Sequence, residues 1–252
     1  MAAANHHFNA LFHQIPMIDQ KIDNIRQLAS RNGLVIRGGF LLVADDEVGE
    51  IEAGISAKSM LLFGNAGSSL WEVFSNSGEY QDSKQDPLDR WSERVGNSMA
   101  KELGGKAFFP FGDPPYQPFI SWAKRSEGLE SSRLGMLIHG QYGLWHAYRF
   151  GIAFSEDMQR FLEEKDDSSD ICAACVEQPC LSRCPVTAFG EGEYDVEACY
   201  RYIKEAADNS CMDQGCAARR ACPEGSDFLY RKVHAQFHMS QFLSSMKVRF
   251  DD

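Results

Sequence analysis

Cys172-Ala-Ala-Cys175-Val-Glu-Gln-Pro-Cys180-Leu-Ser-Arg-Cys184-Pro185 is the stretch on which the reading of this chain turns. Cys199 follows alone, and Cys211-x4-Cys216-x5-Cys222-Pro223 completes the set. All eight cysteines lie between Cys172 and Cys222, and the first 171 residues contain none. A disulfide framework normally staples a small secreted domain along its whole length. Here most of the chain is free of cysteine, and Met1 to Gln20 lacks the basic region and apolar run of a secretory signal. The crowding of thiols therefore points to metal or cluster ligation.

Spacing narrows the metal. The bacterial ferredoxin run for iron–sulfur clusters is C-x2-C-x2-C-x3-C-P. The quoted stretch agrees at its first pair, its last pair and its proline, and departs by two extra residues between Cys175 and Cys180. Cys222-Pro223 is a second, looser cysteine–proline ending. In two-cluster ferredoxins the cysteine before proline binds the other cluster. Carried over, that pattern gives one [4Fe–4S] cluster Cys172, Cys175, Cys180 and Cys222, and the other Cys184, Cys199, Cys211 and Cys216. Structural zinc is the alternative, because C-x2-C pairs also hold zinc. Arg183, Arg219 and Arg220 flank these cysteines; they either offset cluster charge or are solvated helix residues, and the second reading is the simpler.

The chain has 252 residues and a formal net charge of −11. Such an acidic surface repels nucleic acid and anionic membranes, so neither is an expected partner. The longest apolar stretches, such as Leu41 to Ala44 and Met60 to Phe63, are too short to span a bilayer. The expectation is a cytoplasmic protein.

Periodicity predicts alternating helices and strands upstream of the cysteines. Ile18, Ile22, Ile25 and Leu28 mark a helix from Ile18 to Asn32 that stops at Gly33. Leu34 to Ala44 reads as a strand interrupted by Gly38 and Gly39, and Ser59 to Phe63 as a second. Ser68 or Ser69 caps a helix through Phe74. Gln81 to Gln85 reads as a loop. Asp86 then caps a helix with Pro87 at its first position, and Leu88, Trp91, Val95, Met99 and Leu103 form its apolar face. Lys106 to Phe111 reads as a strand, Phe119 to Arg125 as a helix, and Gly143 to Phe154 as a buried strand. Among the cysteines, a helix from Val196 to Ala207 carries Cys199.

The expected fold class is α+β, with an α/β body at 1–165. A ferredoxin-like two-cluster module occupies 166–225, after a charged boundary at Glu163 to Asp170. A C-terminal helix within 226–252, from Asp227 to Met246, docks on the body through Phe237, Phe242 and Leu243.

Two body segments are unusual. Phe109 to Phe119 packs prolines and aromatics together and contributes Phe111 and Tyr116. Leu137 to Phe150 brings His139, Tyr142, Gly143, Trp145, His146 and Arg149 into one strand and its entry turn. Arginine and two histidines among aromatics suggest a cleft for a large ligand, partly anionic and partly planar. No Walker loop, H-E-x-x-H or G-x-S-x-G is present. Gly64-Asn-Ala-Gly67 reads as a tight strand–helix turn, or as a phosphate cradle.

The cysteine module resembles the C-terminal part of epoxyqueuosine reductase and of cobalamin-dependent reductive dehalogenases. The likeness rests on the isolated Cys199-Tyr-Arg-Tyr-Ile203 and on the run from Gly215-Cys216 to Pro223. The body resembles the cobalamin-processing methylmalonic aciduria type C family, related to flavin nitroreductases, at Asp86-Pro87-Leu88-Asp89 and at Ile138 to Arg149. These resemblances imply a nitroreductase-like body holding cobalamin, or a flavin, against two [4Fe–4S] clusters. The expectation is then an oxidoreductase relaying single electrons from a flavodoxin- or ferredoxin-type donor to a corrinoid or small-molecule substrate. The alternatives are a ferredoxin-like carrier without chemistry of its own and a flavin-dependent reductase. The reductase's catalytic acidic motif is not found in this chain.

Overall fold

In a computed structural model the described residues are 20–46, 48–158, 170–190, 193–206 and 210–251. They are mixed helix and sheet and divide into two contact units. Of the described residues, one unit takes those up to 64, 72–119 and 148–158; the other takes 65–71, 120–147 and those from 170 onward. This division is not the linear one, because 65–71 and 120–147 group with the cysteine region.

The first unit is built on a four-stranded sheet. Its strands are β1 (Val35–Leu41), β4 (Ser59–Ala66), β5 (Lys106–Phe108) and β8 (His146–Phe154), in the order β1-β4-β8-β5. The two central strands are apolar without alternation: Met60 to Phe63 and Phe150, Ile152, Ala153 and Phe154 are all fully buried. That is what a strand covered on two faces requires. Pairing of β1 with β4 slips between Ile36 and Gly39, and Gly38 sits there at φ +66°. The glycine pair that interrupts the apolar pattern is thus a β-bulge, not a strand end. A short hairpin of β2 (Glu50–Glu52) and β3 (Ile55–Ser56) hangs outside this sheet.

Helix α1, over 20–31, buries Ile22, Ile25 and Leu28 on one side, as helical spacing dictates. Residues 18 and 19 of the predicted helix lie outside the described residues. Helix α2 (Trp71–Ser75) is followed by α3 (Gly78–Gln81), so Gln81 ends a helical turn where a loop is predicted. Helix α4 (Pro87–Leu103) buries Leu88, Trp91, Val95, Met99 and Leu103. It starts at Pro87, but Asp86 sits in the left-handed region at φ +50° and makes no side-chain cap bond. The Asp86 cap expected from the sequence is therefore absent, and the proline alone sets the helix start. Gly96 marks the closest approach of α4 to the sheet, since a Cβ there would stand 2.9 Å from Phe109 and 3.0 Å from Phe150. The strand predicted to reach Phe111 stops at Phe108.

The second unit opens with α5 (Phe119–Glu127) leading into a small ribbon of β6 (Glu130–Ser131) and β7 (Leu137–Ile138). The cysteine region is short helices and turns: α6 (Ile171–Ala174), α7 (Pro179–Ser182), the ribbon β9 (Phe189–Gly190) and β10 (Glu193–Tyr194), α8 (Val196–Glu205), α9 (Ser210–Gln214) and α10 (Ala217–Arg220). A 3-10 turn at Ser226–Phe228 precedes α11 (Lys232–Phe250), which packs against α8 and α9. The predicted helix from Asp227 thus begins only at Lys232. The predicted boundary at Glu163 to Asp170 falls outside the described residues, apart from Asp170. Among the described residues no helix is long and apolar enough to cross a membrane.

Candidate metal centres

Each cysteine is placed by a short element. Cys172 rides on α6 and Cys175 ends it; Cys180 rides on α7 and Cys184 follows it; Cys199 rides on α8 and Cys211 on α9; Cys216 starts α10 and Cys222 follows it. All eight are free thiols.

The structure groups them four and four. Cys180 neighbours Cys172 and Cys175, and Cys222 neighbours Cys180 and Cys172. These four line one small pocket together with Arg133, Ile138 and Glu224. Cys199 feels Cys216, Cys184 and Cys211, while Cys216 feels Cys211 and Cys184. The late Cys222 therefore stands with the early Cys172 and Cys180, and Cys184 with the later cysteines. Zinc would need its thiolates about 2.3 Å from one ion. Among the described residues no three His, Cys, Asp or Glu side chains form a group fit for a single metal ion.

The surroundings suit thiolate ligands. Leu134, Ile138, Leu144, Ala188, Phe189 and Ala218 form a buried apolar cluster packed against Cys172, Cys180, Cys184, Cys199, Cys216 and Cys222. Burial pushes Cys199 up to about 11 from 9.0, and it raises Cys180, Cys216 and Cys222 as well. Buried thiols keep their protons until a metal displaces them. Donors already point at the sulfurs. The Ala188 amide donates to Cys184 Sγ at 3.3 Å, and the amides of Ala218 and Arg219 donate to Cys216. Eight free thiols, packed on one apolar cluster and with an N–H donor at Cys184, suit ligation of two [4Fe–4S] clusters.

The turn at 137–147 adjoins the first set, through Ile138. His139 and Gly143 exchange backbone hydrogen bonds at 2.9 and 2.7 Å, so the strand predicted from Gly143 begins instead at His146. His139 is buried; its Nδ1 accepts from the amides of Gln141 and Tyr142, and its ring stacks on Tyr142. Those two bonds leave the proton on Nε2, 3.8 Å from Glu127. The His146 ring meets the Leu137 carbonyl through Nε2 at 3.1 Å. Trp145 is buried under Arg219, whose guanidinium lies 4.5 Å from the ring centroids of Trp145 and of Tyr230. Arg219 also donates from Nε and Nη2 to the Leu144 carbonyl, at 3.1 and 2.5 Å. It is held between two rings and a carbonyl, so the solvated reading of Arg219 does not hold. Arg220 turns back to the Gly215 carbonyl, and Arg183 is exposed.

The remaining predicted contacts lie in the other unit. Phe111 packs on Phe109, Tyr116 is 67% exposed, and Arg149 is half-buried with its charge acting on Asp89. Burial raises the Asp89 carboxyl, and Arg149 opposes that. Gly67 gives its amide to the Trp145 carbonyl at 2.6 Å, so the Gly64 to Gly67 turn spends one of the amides a phosphate cradle would use.

His139, Tyr142, Gly143, Trp145 and His146 are thus engaged by their own unit.

A polar chain not expected from the sequence runs through the second unit. Ser68 Oγ and His234 Nδ1 are 3.0 Å apart, and His234 and His238 meet through their Nε2 atoms at 3.0 Å. The signal was the four-residue spacing of His234 and His238, which puts them on one helix face.

No protein-family model and no curated protein matches the sequence. Its neighbours among solved structures are the groups that the sequence motifs resemble. An epoxyqueuosine reductase solved with a modified tRNA stem loop is 13% identical, with 88% of this chain and 70% of that one covered and a TM-score of 0.44. The B12-trafficking protein CblC of C. elegans is 12% identical, with 92% and 96% covered and a TM-score of 0.49. The reductive dehalogenase NpRdhA is 14% identical, with 84% and 32% covered and a TM-score of 0.44.

Proposed function

We propose that the chain is an iron–sulfur redox protein that passes single electrons through two [4Fe–4S] clusters. Cys172, Cys175, Cys180 and Cys222 hold one cluster, and Cys184, Cys199, Cys211 and Cys216 hold the other. The observation that carries this reading is the division of eight free thiols into two sets of four. Bound clusters supply one-electron carriers whose potentials follow burial and hydrogen bonds to sulfur. The chain's own contribution is to hold the thiolates, aim amides at them and surround them with apolar side chains.

The electrons come from an external donor of flavodoxin or ferredoxin type and go to an acceptor belonging to the α/β body. Cobalamin is the acceptor that the sequence resemblance implies, with flavin as the second candidate. The turn residues His139, Tyr142 and Trp145 pack within their own unit. That packing supports a second reading, in which the chain hands electrons to a partner protein and performs no chemistry itself.

Iron, cobalt and flavin content of anaerobically purified, reconstituted protein tests the proposal. About eight irons per chain are expected. Zinc in place of iron, or fewer than about four irons, would end it. Titration with cob(II)alamin separates the two readings: a spectral change supports the corrinoid acceptor, and none supports the carrier.

A further inference from the structure

Helix α11 carries His234 and His238, and their Nε2 atoms stand 3.0 Å from each other. A spacing of four residues puts both rings on one helix face, and packing then fixes each ring. His234 is buried; Tyr230 stacks on it with centroids 4.0 Å apart, and Trp71 with centroids 4.9 Å apart. The half-buried His238 stacks on Tyr230 at 5.6 Å and meets Phe237 edge-on at 5.5 Å. The far nitrogen of His234 is engaged as well, since Nδ1 stands 3.0 Å from Ser68 Oγ. Ser68 Oγ is itself oriented by accepting the Arg231 amide at 2.8 Å.

These contacts give the pair a defined hydrogen arrangement. Ser68 Oγ accepts from Arg231, so its own hydrogen is available to His234 Nδ1. The His234 hydrogen then sits on Nε2 and is given to His238 Nε2. The same geometry suits a metal ion. Two nitrogens about 2.1 Å from one ion and at right angles to each other stand about 3.0 Å apart, whereas a tetrahedral angle spreads them to about 3.4 Å. The observed separation is therefore that of neighbouring ligands in a square-planar or tetragonal site, the geometry of nickel and copper. Histidine binds metal as the neutral ring, with its other nitrogen donating to a fixed acceptor. A metal at Nε2 moves the His234 hydrogen to Nδ1, where Ser68 Oγ accepts it, so no proton is lost. The two imidazoles belong to neither cysteine set.

We propose that His234 and His238 form a two-histidine site for a divalent transition-metal ion of the nickel or copper type. Ser68 holds His234 in the ligating orientation, and water fills the remaining positions. The inference goes beyond the electron-relay reading and does not depend on it.

The test titrates nickel anaerobically into the 252-residue chain, reconstituted with iron and sulfide to engage its thiols, and into His238→Ala treated identically. Nickel-edge X-ray absorption of the wild type reads which atoms surround the ion, and circular dichroism checks that both proteins are folded. The expected result is about one nickel per chain with imidazole nitrogen and oxygen around it, bound at least about tenfold more weakly in His238→Ala, the loss that removing even an outer partner of a ligand causes. No nickel on the wild type would overturn the inference and leave the pair as a hydrogen bond. Sulfur around the ion would overturn it too, by placing the metal on the cysteines, as would equal affinity in a folded His238→Ala. If His238→Ala does not fold, the wild-type absorption decides alone, by the presence or absence of imidazole.

Discussion

A methyl group on Gly143 would stand 2.0 Å from the carbonyl oxygen of Glu224. Glu224 follows Cys222-Pro223, so the turn that begins at His139 presses directly on the backbone leaving a candidate ligand. Gly225 faces Tyr142 just as closely, at 2.2 Å for its own missing Cβ. Two glycines let two backbones cross at contact distance, and the Gly-Gln-Tyr-Gly motif acts as a backstop for the first cysteine set.

Gly143→Ala should therefore destabilise the protein by more than ~3 kcal/mol, since it adds a backbone clash to left-handed strain at φ +54°. Gly135→Ala is the control: φ is +76° but nothing lies within 4 Å of the added methyl. It should cost about 1–2 kcal/mol. Denaturant midpoints of the two variants, with iron retention alongside, check the contrast.

The crossed grouping of cysteines makes a prediction that chain order does not. Cys222→Ala should remove the same cluster signal as Cys172→Ala, and Cys184→Ala the same as Cys211→Ala. Each variant should lose about four irons. If Cys222→Ala instead matches Cys211→Ala in its electron paramagnetic resonance spectrum, the grouping is wrong.

Arg219 combines a forked donation to the Leu144 carbonyl with stacking between Trp145 and Tyr230. Lysine keeps the charge but has neither the planar fork nor the flat face. Arg219→Lys should cost about 2 kcal/mol, well beyond an ordinary surface change. Equal unfolding midpoints for wild type and Arg219→Lys would show that the charge alone suffices.

Glu79 supplies a pH dependence away from the cysteines. Hydrogen bonds from Arg94, at 2.5 and 3.1 Å, hold its carboxyl at about 2, down from 4.5. A carboxylate whose folded value is depressed stabilises the fold above its unfolded value. That contribution is complete above about pH 4.5 and fades as the pH falls toward about 2. Arg94 is more than half exposed, so solvent screening limits the contribution to about 1 kcal/mol. Glu79→Gln should be less stable than wild type at pH 6 and nearly equal to it at pH 2.5. Urea midpoints at the two values measure this.

Local chemistry was legible in the chain. Apolar spacing located α4 and its buried face from Leu88 to Leu103, because helical period is set by the backbone and needs no tertiary partner. Runs without alternation located the two central strands. Proline located the start of α4 but misdirected the reading of Asp86, whose left-handed backbone turns its side chain away from capping. The strand predicted from Gly143 was misread for a similar reason. Aromatics and histidines look alike in a strand and in a tight turn, and only the His139–Gly143 hydrogen bonds distinguish them.

The cysteine spacings by themselves determined that this chain carries eight clustered thiols with two cysteine–proline endings, a pattern for two cubes. The tertiary structure carries out the return of Cys222 to Cys172 and Cys180, already implied by the cysteine–proline pattern, and it alone brings Gly143 against Glu224. It also turned Arg219 from a solvated helix residue into one clasped by Trp145, Tyr230 and Leu144. The physical reason is that spacing records only what neighbours along the backbone can share. Contacts such as Arg219 with Leu144, or Gly143 with Glu224, depend on which surfaces the folded chain brings into van der Waals range.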